Sequence, residues 1–253
     1  YLSKLVNDIS LGNLTYFNRI NERSAFAVSL RYFSLGEIEI IQDEFSQALI
    51  EKPNEMTMDI SYSLRLADQF SMGVALRYLR SDLRIQAVDE TAKAASSYAV
   101  DISAYFQGEE QSYGDVDGRW RAGMIIQNLG PKIKYDESGR ETFLPTNLRL
   151  GTGFDFLLDQ YNKVSVTAEF AKLLVPTPPI LGYEYNFTDS NDNGVYDEGI
   201  DELGEQTTGE LVVYNGQTTD VDFLQGVFQS FSDAPGGFSE ELKEFTWALG
   251  AEY

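Results

Sequence analysis

Residues 56–80 read MTMDISYSLRLADQFSMGVALRYLR, two consecutive segments whose side chains alternate in character with a period of two. In the first, Met58, Ile60, Tyr62, Leu64 and Leu66 share one face, opposite Asp59, Ser61, Ser63 and Arg65. In the second, Phe70, Met72, Val74, Leu76 and Tyr78 oppose Ser71, Gly73, Ala75 and Arg77, with only Ala67, Asp68 and Gln69 between the segments. This spacing predicts a β-hairpin. Each segment runs about ten residues, longer than the roughly 5 to 6 of a mean strand and matching the roughly 9 to 11 tilted residues that cross a bilayer.

The same alternation recurs on both sides of the hairpin. It is weakest from Asp8 to Phe17, where a bulge is expected at Gly12, and clean from Ser24 through Phe26, Val28, Leu30 and Tyr32. Downstream it returns at Tyr98 to Phe106, Trp120 to Ile126, Leu148 to Phe156, Val164 to Phe170 and Phe245 to Tyr253. About nine strands result. The connections between them run short, long, short, long, medium, long, short and very long. In an antiparallel barrel successive connections emerge at opposite ends, and outer-membrane barrels carry short periplasmic turns and longer extracellular loops. The reading is all-β: an antiparallel transmembrane β-barrel with long extracellular loops, its turns near residues 20, 68, 112 and 160 periplasmic. The Ala-rich connection at 81–97 is expected to carry a helical turn.

Charge placement supports this reading. Arg31, Arg65, Arg77, Arg121 and Arg149 all fall opposite the apolar stripe, avoiding the roughly 2 to 4 kcal/mol that a lipid-facing Arg costs at mid-bilayer. The apolar stripes often end in Tyr, Phe or Trp, as an interfacial girdle requires. A soluble β-sandwich or lipocalin-like barrel would show the same alternation and stays open at this point.

The 253-residue chain carries 40 acidic and 19 basic side chains, a net charge of -21. That balance excludes nucleic acid as a partner, because phosphate binding needs clustered Lys and Arg. Cysteine and histidine are both absent, which removes thiolate metal sites and the commonest general base. No GxSxG elbow or P-loop occurs, and Gly151-Thr152-Gly153 lacks the third glycine of a dinucleotide loop. An enzyme is not expected. No apolar run reaches the 18 residues of a membrane helix, so any crossing is by strands. The sequence opens on Tyr1 without a signal-peptide pattern and is expected to be a processed or partial chain. The odd strand count and the open edge at Tyr253 lead to the expectation of further strands in the native barrel.

Residues 175–243 form a very long acidic insertion in an otherwise single domain, 1–253. Within it, DSNDNGVYDEGIDE at 189–202 puts Asp189, Asn191, Asn193 and Asp197 at positions 1, 3, 5 and 9 of a calcium-type loop, with Gly194 at position 6. Position 12 is Ile200 instead of Glu. The alternatives are a bound calcium in the 189–201 loop and a solvated turn. Farther on, Phe223, Leu224, Val227, Phe228 and Phe231 recur at helical spacing behind Asp220 or Asp222 as N-cap. An apolar helix there must bury itself in the barrel mouth as a plug, against a partner, or over the barrel rim.

Several stretches carry a family resemblance: KLVNDIS at 4–10, LRYFSLGEI at 30–38, NLGPKIKY at 128–135, FLPTNLRLG at 143–151, KLLVPTPP at 172–179, SFSDAPGGFSEELKE at 230–244 and WALGAEY at 247–253. They resemble the PorV family of outer-membrane proteins of the type IX secretion system, within the FadL-like barrel superfamily. The resemblance implies a barrel of fourteen strands at the cell outer membrane, of which this chain supplies the middle. It implies a non-enzymatic subunit that takes secreted cargo, by its C-terminal signal domain, from the large translocon barrel and passes it to a cell-surface sortase. Partner-facing or plugging groups would then be Phe228, Phe231, Asp233, Pro235, Gly236 and Phe238. The alternative function is a channel for hydrophobic small molecules, which would require an apolar lumen.

Overall fold

The computed structural model describes residues 2–4, 8–41, 49–84, 92–114, 116–135, 141–191, 196 and 198–253. Along the chain lie β1 (Leu2–Lys4), β2 (Ser10–Arg19), β3 (Ser24–Ser34), β4 (Ile38–Ile40), β5 (Leu49–Glu51), β6 (Asn54–Ala67), β7 (Phe70–Asp82) and β8 (Ala95–Gln107). There follow β9 (Gln111–Tyr113), β10 (Val116–Leu129), β11 (Asn147–Leu157), β12 (Lys163–Leu173), β13 (Ile180–Thr188) and β14 (Glu202–Asn215). Two short helices, α1 (Phe223–Gln229) and α2 (Phe238–Glu241), and a 3-10 turn at Leu242–Glu244 precede β15 (Phe245–Glu252). Two compact units result: residues 1–173 with 245–253, and residues 174–244. The helical turn expected within 81–97 falls largely on residues outside those described.

The first unit is an antiparallel sheet in the order β1-β2-β3-β6-β7-β8-β10-β11-β12-β15, with β9 paired to β10. Its nine long strands are those the alternation predicts. The sheet is open, since no described pairing joins β15 to the β1 edge. The opening hairpin closes through the pair Ala67 and Phe70, with a register shift between Arg65 and Ala67. The turn is therefore the two residues Asp68 and Gln69, and Leu66 is absorbed in a bulge. No bulge occurs at Gly12, where β2 stays in register with β3 from Ser10 to Arg19.

Because the strands pair in register, side chains of like character line up across the sheet. One row runs Phe26, Tyr62, Val74, Ile102, Ile126 and Leu148. This apolar face lies open: Ile60, Val74 and Leu76 are 53%, 51% and 54% exposed. Among the described residues the first unit buries only Ala95, Ala99, Ile133 and Leu144 as a hydrophobic cluster. A soluble sandwich would cover such a face with a second sheet, and an apolar surface this wide is abnormal for a monomer in water. Aromatic residues gather at both strand ends. Tyr78 and Tyr98 meet at 5.4 Å near the long connections, and Trp120 meets Phe154 at 4.9 Å near the short turns.

The opposite face is polar and cross-linked. Arg77 donates to Asp59 at 2.5 Å and to Asp101 at 3.0 Å, and Ser29 donates to Asp59 at 3.0 Å. Toward the turn end, the fully buried Asp155 receives Arg119 at 2.9 Å, Arg121 at 2.7 Å and Ser165 at 2.8 Å. Asp59 and Asp155 thus each have both arginine and serine donors, the condition under which a charge tolerates removal from water.

The connection between β10 and β11 folds over this polar face. Ile133 and Leu144 pack with Ala95, Ala99 and Leu79, and Ile133 exchanges two 2.8 Å backbone hydrogen bonds with Thr142. Asn128 anchors the segment from the left-handed region, at φ 60°, which Asn tolerates better than most residues. Its N–H donates to Asp101 at 2.8 Å, its side-chain amide donates to Pro145 O at 3.1 Å, and its side-chain oxygen accepts from Arg77. Thr146 donates back to Asn128 O at 2.9 Å. Gly130 follows because any Cβ there would drive into the Tyr98 carbonyl.

Candidate functional site

The second unit is where the charge concentrates. Residues 174–244 hold 15 of the 40 acidic side chains and one of the 19 basic ones, Lys243. They are more structured than an insertion read as a loop. β13 and β14 form their own two-stranded antiparallel ribbon, and the chain returns from it through α1 and α2. The strand signal was present in Leu181, Tyr183, Tyr185 and Phe187 at alternate positions, diluted by the acidic residues between them.

Helix α1 spans seven residues and is shorter than its apolar spacing predicts, so Phe231 lies beyond it. Asp222 is the N-cap by position but makes no side-chain cap bond. The helix buries Gly226 and Gln229 and leaves Leu224 and Phe228 exposed. Its polar residue is inside for a reason: Gln229 donates to Thr218 O at 2.9 Å and to Asp233 at 3.5 Å. Ser230, also buried, donates to Val227 O at 2.8 Å. The aromatic side is thereby turned outward. Phe228 and Phe238 are 75% and 77% exposed, and Phe231 is 43% exposed.

Asp233 stands at the centre of this arrangement and is 1% exposed. Its Oδ2 accepts the N–H of Thr177 at 3.0 Å, while its buried Oδ1 finds no partner. Glu241 accepts the Ala234 N–H at 3.2 Å, and Thr177 Oγ1 donates to Glu244 at 2.7 Å. Burial pushes the Asp233 carboxyl above its ordinary range; the Thr177 and Gln229 hydrogen bonds oppose the shift, and the nearby charges of Glu241 and Glu244 add to it. The two motifs VPTPP and SDAPGG are thus fastened to each other by Thr177 and Asp233. Pro235 is half-buried, its carbonyl accepting from Asn215 at 2.7 Å. Gly236 is exposed and donates its N–H to Glu240.

Of the six residues expected to face a partner or plug the barrel, Phe228, Phe231, Gly236 and Phe238 are at the surface. Asp233 is not. It is a buried clasp within the unit, because its carboxylate is committed to Thr177. Within the first unit, the β10 to β11 connection lies on the polar face of the sheet. Sequence reasoning passed over Asn128 and Thr177. Each sits in a motif whose residues bond across a distance in sequence that no periodicity reveals.

Of the calcium-type loop, Asn193 and Asp197 lie outside the described residues. Asp189 Oδ1 accepts the Asn191 N–H at 3.2 Å, and Asp201 Oδ1 accepts the Ser190 N–H at 2.8 Å, a turn held by its own carboxylates. No group of three or more acidic side chains able to hold a metal occurs among the described residues.

The family model for type IX secretion system protein PorV matches residues 1–180. The chain belongs to the PorV family. It is therefore a component of the type IX secretion system, a secretion-machinery family and not an enzyme family. The match covers β1 to β12 and ends where β13 begins, so most of the acidic second unit of this PorV-family chain lies beyond it. No curated protein matches the chain.

Proposed function

We propose that this PorV-family chain sits in the outer membrane as a barrel wall and uses its acidic second unit to receive secreted cargo. It docks at the large translocon barrel, takes cargo by its C-terminal signal domain and passes it to the cell-surface sortase. The observation that carries this reading is the outward presentation of Phe228, Phe231 and Phe238 on a unit clamped from within by Asp233. Exposed aromatic side chains held on a rigid turn are what protein interfaces use as anchors. The open apolar face of the sheet suits lipid contact, and the succession of short turns and long connections supports an extracellular side for the second unit.

A channel for hydrophobic small molecules needs an apolar passage. The polar face here carries ion pairs around Arg77 and Asp155 and is overlaid by Ile133 and Leu144, which argues against that alternative. Affinity capture from detergent-solubilised outer membranes tests the proposal. Recovery of a giant barrel protein or of signal-domain cargo, reduced by F228S with F238S, is the expected result. Recovery of a lone barrel with bound lipid would overturn it in favour of the channel.

A further inference from the structure

The ribbon of β13 and β14 is a second surface, separate from the aromatic residues of α1 and α2. Within the described residues these two strands pair only with each other, so both outer edges have no strand beside them. A two-stranded ribbon is marginally stable in water on its own. Natural edge strands are blunted by Pro and by charged side chains, Lys above all; residues 180–215 contain no Lys, Arg or Pro, and their charges are nine Asp or Glu, which repel other acidic edges but not a basic one. The ribbon also presents a stripe of apolar side chains. Leu181 pairs with Val213, Tyr183 with Leu211, and Phe187 with Leu203. Tyr183, Leu203 and Leu211 are 48%, 55% and 54% exposed.

We propose that this ribbon is a docking edge for an extended polypeptide segment that alternates cationic and apolar residues, which adds to the ribbon as a further strand. Three features select that occupant. The open edge supplies main-chain hydrogen bonds, and the Leu181 to Phe187 stripe supplies contacts at alternate positions, the two elements of strand addition. The net acidic charge of residues 180–215 steers a basic partner in and rejects an acidic one. The same charge repels an anionic lipid surface, which favours a polypeptide over a membrane as the occupant. This goes beyond the reading of Phe228 and Phe238 as anchors and stands or falls separately from it.

The test uses the full chain in detergent micelles and a fluorescent peptide of about eight residues, one strand in length, alternating Lys and Val. Controls are the same peptide with Glu in place of Lys, and a Lys–Val peptide N-methylated at alternate backbone positions. At an ionic strength of about 0.15 M, the Lys–Val peptide is expected to bind at least about ten-fold tighter than either control. E184Q with E205Q, and separately Y183S, should each weaken it by about three-fold or more, while F228S with F238S leaves it unchanged. Equal binding of the N-methylated peptide would reduce the effect to charge attraction and overturn strand addition. Equal binding of the Glu peptide would overturn the charge selection. Protection of Tyr183 and Tyr185 from quenching by phosphatidylcholine vesicles, but not by the Lys–Val peptide, would replace the proposal with a lipid contact.

Discussion

The two units of this molecule use apolar residues in opposite ways. In the sheet, apolar side chains form a continuous face that spans strand after strand, and the polar face is fastened by ion pairs around Arg77 and Asp155. In residues 174–244 the polar Gln229, Ser230, Asp233 and Glu241 are buried, as are the apolar Leu174 and Ala234, while Phe228 and Phe238 look outward. The sheet leaves its apolar face uncovered and pairs the charges of the other face with one another. The acidic unit is fastened around Asp233 by hydrogen bonds and leaves Phe228 and Phe238 exposed.

The strongest way to break that contrast is at the charge centre of the sheet. Arg77→Leu leaves Asp59 and Asp101 facing each other without a cation, and should destabilise the folded protein by about 3 to 5 kcal/mol. Urea-induced unfolding in micelles measures it. Next in size is Ile60→Arg on the apolar face, expected to cost about 2 to 4 kcal/mol when folding is measured in a bilayer. Ser61→Arg, one residue along and on the polar face, should cost far less; equal costs would show that the exposed face is not lipid-facing.

Leu144→Ala removes one of the two large side chains that hold the β10 to β11 connection to the polar face. A loss of about 2 kcal/mol is expected, together with faster proteolysis between residues 130 and 146. In the acidic unit the effect is one of pH. The Asp233 carboxyl is raised by burial, so the folded unit holds that proton more tightly than the unfolded chain does. Its contribution to stability is complete below the ordinary carboxylate range near pH 4, and is lost as pH rises through the folded value. Protease protection of residues 174–244 should decline over that window, and D233N should flatten the decline. The smallest stability effect belongs to F228S and F238S, within about 0.5 kcal/mol as for other exposed positions, although these substitutions are expected to lower partner capture.

Much of the sheet was legible from residue types alone. A strand's side chains alternate by covalent geometry, so Ile60, Val74 and their neighbours declare one face and Arg77 and Arg121 the other before any contact is known. The order of short and long connections carried the meander. The same logic under-read residues 180–188, because Glu184 and Asn186 interrupt an apolar count that Leu181, Tyr183, Tyr185 and Phe187 still satisfy.

What the sequence by itself determined about this protein is the all-β class, the two faces of each long strand, the segregation of acid into residues 174–244, and the motifs of the PorV family. Tertiary structure alone decided that Asn128 ties Arg77 and Asp101 to Pro145, that Thr177 meets Asp233, and that α1 turns its phenylalanines outward. Periodicity reports which side of its own element a residue occupies. Which distant group waits on that side depends on how the chain returns, and no local pattern encodes it.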